Sequence, residues 1–268
     1  MSQAQQEPLN NSRISMATLL WAIPAAYLAC VPQAKAQDDA IDVLRKMAEH
    51  ITSQTTISIK FDSTIEAVTP QLQKIQFTST GEVNLNRPNQ FRSSRQGGYR
   101  DVETIFDGKI LTINNKYEKV YAQVDAPGSV DSFMALLHDK YSVAAPGLDL
   151  LSSKVFDVMT ADILDAKHIG IAIIDGLECE HLAFRGTDVD WQIWIESGSR
   201  PIPRRLVITN KSTTASPQYV LRIKEWSNEI RSGAFGFTPD EGMKKVEITA
   251  LGHVDDIPPG AVAVGEKK

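Results

Sequence analysis

The sequence has 268 residues, of which 42% are hydrophobic, with 28 basic and 33 acidic side chains. This length and composition are typical of a soluble globular protein with one large or two small domains. The net charge of −5 argues against the basic surface that proteins use to neutralise phosphates, so nucleic acid is not an expected partner.

The N-terminal segment has the features of a bacterial export signal. Arg13 precedes an apolar run from Met16 to Val31, and Ala34-Lys-Ala36 places small residues where signal peptidase cleaves. The run covers about 16 residues and contains Pro24, whereas a transmembrane helix needs roughly 20. We therefore predict a cleaved signal peptide, residues 1–36, and a periplasmic mature chain without a transmembrane segment.

Two alternatives concern this signal segment. Leu28-Ala-Cys30 partly resembles a bacterial lipobox, which makes lipid anchoring at Cys30 an alternative, although Tyr27 departs from the pattern. Residues 1–15 are polar and long for the start of a signal peptide, so Met16 is an alternative start.

After the signal, the hydrophobic period predicts one helix and then many strands. Apolar residues at helical spacing predict a helix from Asp38 to Ile51, capped by Asp38 or Asp39. Alternating apolar and polar residues follow, and they predict antiparallel strands with one wet face. These strands are predicted at residues 57–67, 75–85, 90–96, 102–106, 109–113 and 118–124.

A second group of strands follows an interruption by helices. Ser129 can cap a helix that continues to Leu137, and a less regular helical stretch is predicted over residues 148–164. Turn dipeptides then separate further strands. These are predicted at residues 168–174, 177–186, 189–197, 204–210 and 218–228, and the tail from Gly252 is predicted to be loose.

No linker, repeat or change in composition divides residues 37–268, so we predict a single domain. An antiparallel meander of about ten strands curls, because strands twist, and its apolar concave side must be covered. The predicted fold class is mainly β with helices (α+β), a strongly curved antiparallel sheet covered by the helices.

Seven segments of the mature chain together resemble a known family. They are Asn86-Arg-Pro-Asn-Gln-Phe-Arg92, Phe106-Asp-Gly-Lys-Ile-Leu111, Lys119-Val-Tyr-Ala122, Asp175-Gly-Leu-Glu-Cys-Glu-His-Leu-Ala-Phe184, Asp190-Trp-Gln-Ile-Trp-Ile195, Pro203-Arg-Arg-Leu206 and Phe237-Thr-Pro-Asp-Glu-Gly242. The sequence resembles the uncharacterised family of predicted periplasmic proteins whose members are similar to the LolA/LolB lipoprotein-carrier superfamily. This resemblance implies a LolA/LolB-like half-barrel, in which the curved antiparallel sheet forms an unclosed barrel covered by the helices, with an apolar cavity that accepts acyl chains.

The function predicted on this basis is that of a periplasmic carrier, holding a lipid or lipoprotein acyl chain. The alternative is a cell-envelope structural or adaptor protein with a filled core, which would bind an envelope protein instead. Seven side chains on apolar strand faces are the candidate ligand-binding residues, and a packed core is the competing interpretation for each of them. They are Phe61, Phe77, Phe91, Trp191, Ile193, Tyr219 and Leu221.

An unrecognised hydrolase is the weakest interpretation. The sequence has no Gly-x-Ser-x-Gly, His-Glu-x-x-His, Cys-x-x-Cys or phosphate-loop motif, so we predict no enzyme, cofactor or metal. Cys179 and His181 share a strand face and could in principle form a nucleophile and base. A second polar group, Glu178, Glu180 and His181 with Asp188 and Asp190, could meet across a hairpin or could simply be a solvated face.

Overall fold

The computed structural model describes residues 33–141, 147–252, 254 and 256–258. The predicted signal peptide therefore lies outside the described residues, except for residues 33–36. Twelve strands are described, close to the predicted positions apart from the last. They are β1 (Thr56–Val68), β2 (Lys74–Asn86), β3 (Gln90–Gly97), β4 (Asp101–Phe106), β5 (Ile110–Asn115), β6 (Val120–Asp125), β7 (Asp165–Ile174), β8 (Leu177–Arg185), β9 (Val189–Glu196), β10 (Pro203–Asn210), β11 (Gln218–Ser227) and β12 (Lys244–Lys245).

All twelve strands belong to one sheet, in the order β12-β6-β5-β4-β3-β2-β1-β11-β10-β9-β8-β7. The prediction of one continuous meander is wrong, because the chain forms two meanders. β1 to β6 are neighbours in chain order, as are β7 to β11, and the antiparallel pairing of β1 with β11 joins the two halves. Only β12, beside β6, is parallel to its described neighbour.

The sheet is curved and open, as predicted. Its outermost strands, β12 and β7, do not pair with each other among the described residues. Register shifts in three strands supplement the ordinary strand twist, because a bulge bends the strand that carries it. They lie between Lys60 and Phe61, between His168 and Gly170, and between Pro203 and Arg205.

Helix α1 (Gln33–Thr52) packs against β7 and β8. Leu44, Met47, Ala48 and Ile51 are buried at the predicted helical spacing. The predicted cap is wrong, because the helix begins at Gln33 and Asp38 and Asp39 lie inside it.

The C-terminal end of α1 is tied to the middle of the sheet. The indole Nε1 of Trp226, on β11, donates a hydrogen bond of 3.0 Å to the Gln54 side-chain oxygen just beyond the helix. Trp226 and Gln54 are both buried, so this hydrogen bond satisfies two polar groups that water does not reach.

The predicted second group of helices is also present between the two meanders. It consists of α2 (Val130–Tyr141), a 3-10 turn (Leu148–Leu151) and α3 (Val155–Thr160). Phe133 of α2 is buried with its ring centroid 5.1 Å from Phe91 and 4.9 Å from Phe106. Helix α2 therefore covers one end of the concave face of the first meander. Within the described residues, no helix is both apolar enough and long enough to cross a membrane.

After β11 the chain crosses the outer face of the first meander. Arg92 donates hydrogen bonds to the Ala234 and Gly236 carbonyl oxygens, and the Tyr121 ring lies 5.1 Å from that of Phe237. The tail from Gly252 is not loose as predicted, at least at Asp256, which is 9% exposed.

At the opposite end of the sheet, one edge of strand β7 has no partner strand among the residues that the structure describes. Its isoleucines Ile169, Ile171 and Ile173 are 55%, 58% and 62% exposed. An edge strand with a row of exposed β-branched side chains is a surface on which another chain can pair.

Glu103 is the centre of a buried polar cluster on β3 to β5. Its carboxylate accepts hydrogen bonds from Arg92 at 3.0 Å, Lys116 at 2.9 Å and Asn114 at 3.3 Å. Burial alone would raise the pKa of Glu103, but the hydrogen bonds from Lys116 and Arg92 outweigh it and hold the pKa below its ordinary value.

The lowered pKa of Glu103 predicts acid sensitivity. The stabilisation is complete above the unfolded-state pKa of about 4.3, and it is lost as the pH falls through the lower folded-state value. We expect Glu103→Gln to lower the free energy of unfolding by about 1–3 kcal/mol at pH 7. Urea denaturation of both proteins should show this difference shrinking below about pH 4.

The control is Glu225→Gln, at an exposed carboxylate paired with Lys60. Removing this solvated pair should change stability little at either pH. A Glu103→Gln variant as stable as the wild type at pH 7 would show that the cluster does not stabilise the fold.

The ring of Phe61 on the neighbouring strand leaves no room for a side chain at Gly81. A Cβ atom at Gly81 would lie 2.5 Å from Phe61 Cζ and 2.4 Å from the Ser94 carbonyl oxygen. We expect Gly81→Ala to destabilise the protein by about 1–3 kcal/mol through overpacking, measured by chemical denaturation. Gly98→Ala, where nothing lies within 4 Å, is the matched control and should be near neutral. Equal effects would contradict this account.

Candidate functional site

The register of the strands arranges the concave side chains of the first meander in rows across the sheet. The row nearest to α2 is entirely apolar and buried: Ile57, Leu85, Phe91, Phe106 and Leu111. The second row is Ile59, Val83, Ser93, Thr104 and Ile113. The third, toward the far rim, is Ile223, Phe61, Gly81, Arg95 and Val102. The second and third rows contain less side-chain volume than the first row. The reason is that Ser93 and Thr104 stand in the second row and Gly81 in the third.

A cavity of about 140 Å³ lies over the second and third rows. Its opposite wall is the segment that follows α2, from Gly147 through the 3-10 turn to Leu151, together with Leu137 of α2 itself. Leu150 and Leu151 are buried there, at 2% and 4% exposure. The cavity therefore lies between the sheet and its cover, where the predicted half-barrel would hold a ligand.

Hydrogen bonds fix the covering segment to the sheet and to α2. The Arg87 guanidinium, at the end of β2, donates to the Leu151 carbonyl oxygen at 2.9 Å. Asp131 of α2 accepts hydrogen bonds from the Ser152 hydroxyl at 3.0 Å and the Ser153 amide at 2.8 Å. Although burial opposes ionisation, these bonds hold the pKa of Asp131 below its ordinary value. The cover is thus positioned by polar contacts on its outer side, and its leucines face the cavity.

One part of the cavity wall is polar. Arg95 and Tyr219 line it, and Val254 from the C-terminal tail lies beside them. The Arg95 Nε atom is 3.0 Å from Asp256 Oδ1, and its Nη2 donates to the Val254 carbonyl oxygen at 2.9 Å. Ser79 donates a further hydrogen bond of 2.9 Å to Asp256. The cavity thus combines a mostly apolar lining with one guanidinium that is partly neutralised.

Four of the seven predicted ligand-binding residues lie together in this lining. Phe61, Phe91, Tyr219 and Leu221 all border the cavity. Their placement follows from alternation within each strand and from the pairing of β1 with β11, which brings Tyr219 and Leu221 beside the first meander. Their role in binding remains a prediction.

The other three residues lie elsewhere. Phe77 is on β2 nearer the rim, with its ring 5.8 Å from that of Tyr99. Trp191 stacks on Phe184 at 3.9 Å between ring centroids, and Ile193 beside it is fully buried. Trp191 and Ile193 share the concave face, but β10 separates their strand from β11, so they belong to the packed core of the second meander.

The sequence interpretation missed the polar part and the cover of the cavity. Arg95 could have been found, because it alternates with Phe91 and Ser93 along β3 and so had to share their inward face. Val254 and Asp256 carried no such signal. Their contact with Arg95 joins positions 159 residues or more apart in the sequence.

The structure gives no support to a Cys179 nucleophile. Cys179 is fully buried, and burial raises the pKa of its thiol, which opposes formation of a reactive thiolate. Its Sγ lies 3.7 Å from the Leu177 carbonyl oxygen. His181 instead hydrogen-bonds with Gln192 at 3.0 Å and stacks on Trp194.

The proposed group of carboxylates also separates into local pairs. Glu180 contacts His168 at 2.7 Å, Asp190 pairs with Lys211 at 2.8 Å, and Asp188 accepts a hydrogen bond from Ser212 at 3.1 Å. Among the described residues there is no cluster of three or more metal-ligating side chains.

Comparison with known sequences identifies a family over most of the chain. The family model described as "Predicted periplasmic protein (DUF2092)" matches residues 40–249. A comparison with curated proteins gives no match.

Among the solved structures that this chain resembles are three that are distant in sequence. An uncharacterized conserved protein from Thermus thermophilus is 10% identical, with a TM-score of 0.46 over 78% of this chain and 99% of its own. LprF from Mycobacterium bovis is 13% identical, with a TM-score of 0.46 over 74% and 98%. A LolA superfamily protein from Nitrosomonas europaea is 14% identical, with a TM-score of 0.34 over 74% and 97%.

The family model spans both meanders and the helices between them, and thus the whole of the cavity except Val254. It confirms the family resemblance drawn from the seven sequence segments and the periplasmic location predicted from the N-terminal segment. The chain belongs to the DUF2092 family of predicted periplasmic proteins.

Proposed function

We propose that this protein is a periplasmic binding or carrier protein that holds an acyl chain of a lipid or lipoprotein in the cavity beneath the 3-10 turn. The observation that carries the proposal is an unfilled, mostly apolar space between the second and third concave rows and the cover. Large side chains fill both the row nearest to α2 and the core of the second meander. The space therefore lies over the second and third rows.

An acyl chain matches the chemistry of this lining. Ile59, Val83 and Ile113 on the sheet face Leu148 and Leu150 on the cover, so most of a bound chain would contact hydrocarbon. Burial of each methylene group contributes about 0.8 kcal/mol before the costs of ordering and association are subtracted. A polar ligand would leave its hydrogen-bonding groups unpaired along these walls, which is unfavourable.

The proposal predicts that filling the cavity abolishes lipid binding. We expect Val83→Phe, which places a ring in the middle of the second row, to lower the uptake of a fluorescent fatty acid about tenfold or more, since it removes the space that the chain occupies. The measurement is a fluorescence titration of protein purified from the periplasm. Native mass spectrometry with organic extraction would identify any acyl species that co-purifies.

Two variants control for effects on folding and on the site. Val158→Phe makes the same substitution on α3, where the side chain is 44% exposed, and should leave uptake unchanged. Phe77→Ala removes a predicted ligand-binding residue that lies outside the cavity, and it should also bind normally if the cavity is the site. A wild-type protein that is purified empty and takes up no fatty acid would refute the acyl-carrier function.

The exposed isoleucines of β7 favour a second candidate, an adaptor that binds an envelope protein. A partner strand could pair with the free edge of β7 and cover Ile169, Ile171 and Ile173. The two candidates make opposite predictions for the lipid experiment, because an adaptor needs no ligand in the cavity.

A further inference from the structure

We propose that Arg95 is the head-group site of the cavity and that the ligand is a single-chain amphiphile with a carboxylate head, such as a free fatty acid of medium length. This inference rests on the proposed function and specifies its ligand.

Arg95 is an unusual residue for its position. It occupies the third concave row between Gly81 and Val102, where an uncharged side chain would be expected. Bringing a guanidinium out of water is costly unless an anion accompanies it, and only 26% of the Arg95 side chain is exposed. A guanidinium at the end of an apolar cavity is suited to bind the anionic head of a ligand whose chain fills that cavity.

Asp256, the carboxylate that pairs with Arg95, does not occupy all the N–H donors of the guanidinium. Asp256 contacts Nε, and the Val254 carbonyl oxygen accepts from Nη2. Among the described residues the Val254 carbonyl oxygen is the only hydrogen-bond acceptor of this guanidinium, which carries five N–H donors, and its buried Nε makes an ion pair with Asp256 without a hydrogen bond. The remaining donors can receive a ligand carboxylate, the same chemical group that Asp256 already presents to this side chain.

Tyr219 adds a neutral donor to the same part of the wall. Burial raises the pKa of the Tyr219 phenol, and with a smaller raising effect of the Asp256 carboxylate and lowering effects of Arg95 and Ser63 it comes to about 12. The phenol therefore keeps its proton at neutral pH and can donate a hydrogen bond to a carboxylate. Arg95 and Tyr219 both line the cavity, so the two donors can act on one head group.

The size of the cavity limits the chain. The volume of about 140 Å³ corresponds to roughly five water molecules at about 30 Å³ each. Since a methylene group and a water molecule have similar volumes, a chain of about five carbons fills the cavity, and the rest of a longer chain must displace the cover or extend past the rim. Decanoate is a probe long enough to fill the cavity, and 1-decanol is its matched neutral analogue.

The test is calorimetric titration of the full protein with decanoate, 1-decanol and decyl phosphate at neutral pH. We expect decanoate to bind about tenfold or more tightly than decanol, because a hydrogen bond to a charged group contributes about 1.5–3 kcal/mol. Arg95→Gln should lower the ratio of decanoate to decanol affinity to about one, and Arg95→Lys should restore part of it. Asp256→Asn should raise this ratio severalfold, because it removes the competing negative charge.

The outcomes separate this inference from the carrier function on which it rests. Equal binding of decanoate and decanol, or a preference that survives in Arg95→Gln, would overturn the head-group assignment and leave an acyl-binding cavity. Tighter binding of decyl phosphate than of decanoate would overturn the carboxylate in favour of a phosphate head. Failure of all three probes to bind the wild-type protein would refute the carrier function itself, and the head-group site with it.

Discussion

The pairing of β1 with its two neighbours determines the rest of the structure. β1 is paired with β2 over its whole length and with β11 from Ser58 to Ile65, so it fixes the register of both meanders at once. A shift of one residue in this strand would move Ile57, Ile59 and Phe61 from the concave face to the outer face. The rows that form the cavity are therefore complete only after β11, the last long strand among the described residues, has paired with β1.

The cavity follows from the distribution of side-chain volume in these rows. Ile57 and Leu85 share their row with Phe91 and Phe106, and the Phe133 ring of α2 packs against those two rings. One row further along, Ser93 and Thr104 replace large residues and leave space. Small and polar side chains at inward positions lower the hydrophobic stabilisation of the fold, which is understandable where a site requires the space.

Much of the fold could be predicted from the sequence, because strand alternation and turn residues are local. The faces of Phe61, Phe91 and Tyr219 follow from alternation alone, and the helices after Ser129 follow from a change of period. Strand order could not be predicted in the same way. Trp191 and Phe91 both occupy inward positions in apolar stretches, so the local sequence does not distinguish them. Only the strand order, which places β9 away from β3, shows that Phe91 borders the cavity and Trp191 does not. The two-residue strand Lys244–Lys245 and the contact of Asp256 with Arg95 depend on distant partners and leave no local pattern.

The open edge of β7 also bears on how this protein avoids self-association. Of the two outer strands of the sheet, β12 is only two residues long, whereas β7 runs from Asp165 to Ile174 and offers a template for amyloid-like stacking. The features that oppose such stacking lie within the strand itself. Lys167 places a charge there, and the irregularity beside Gly170 interrupts a flat ladder. Lys167 and Gly170, neither of which lines the cavity, are thus positions in β7 that oppose pairing with the strand of another molecule.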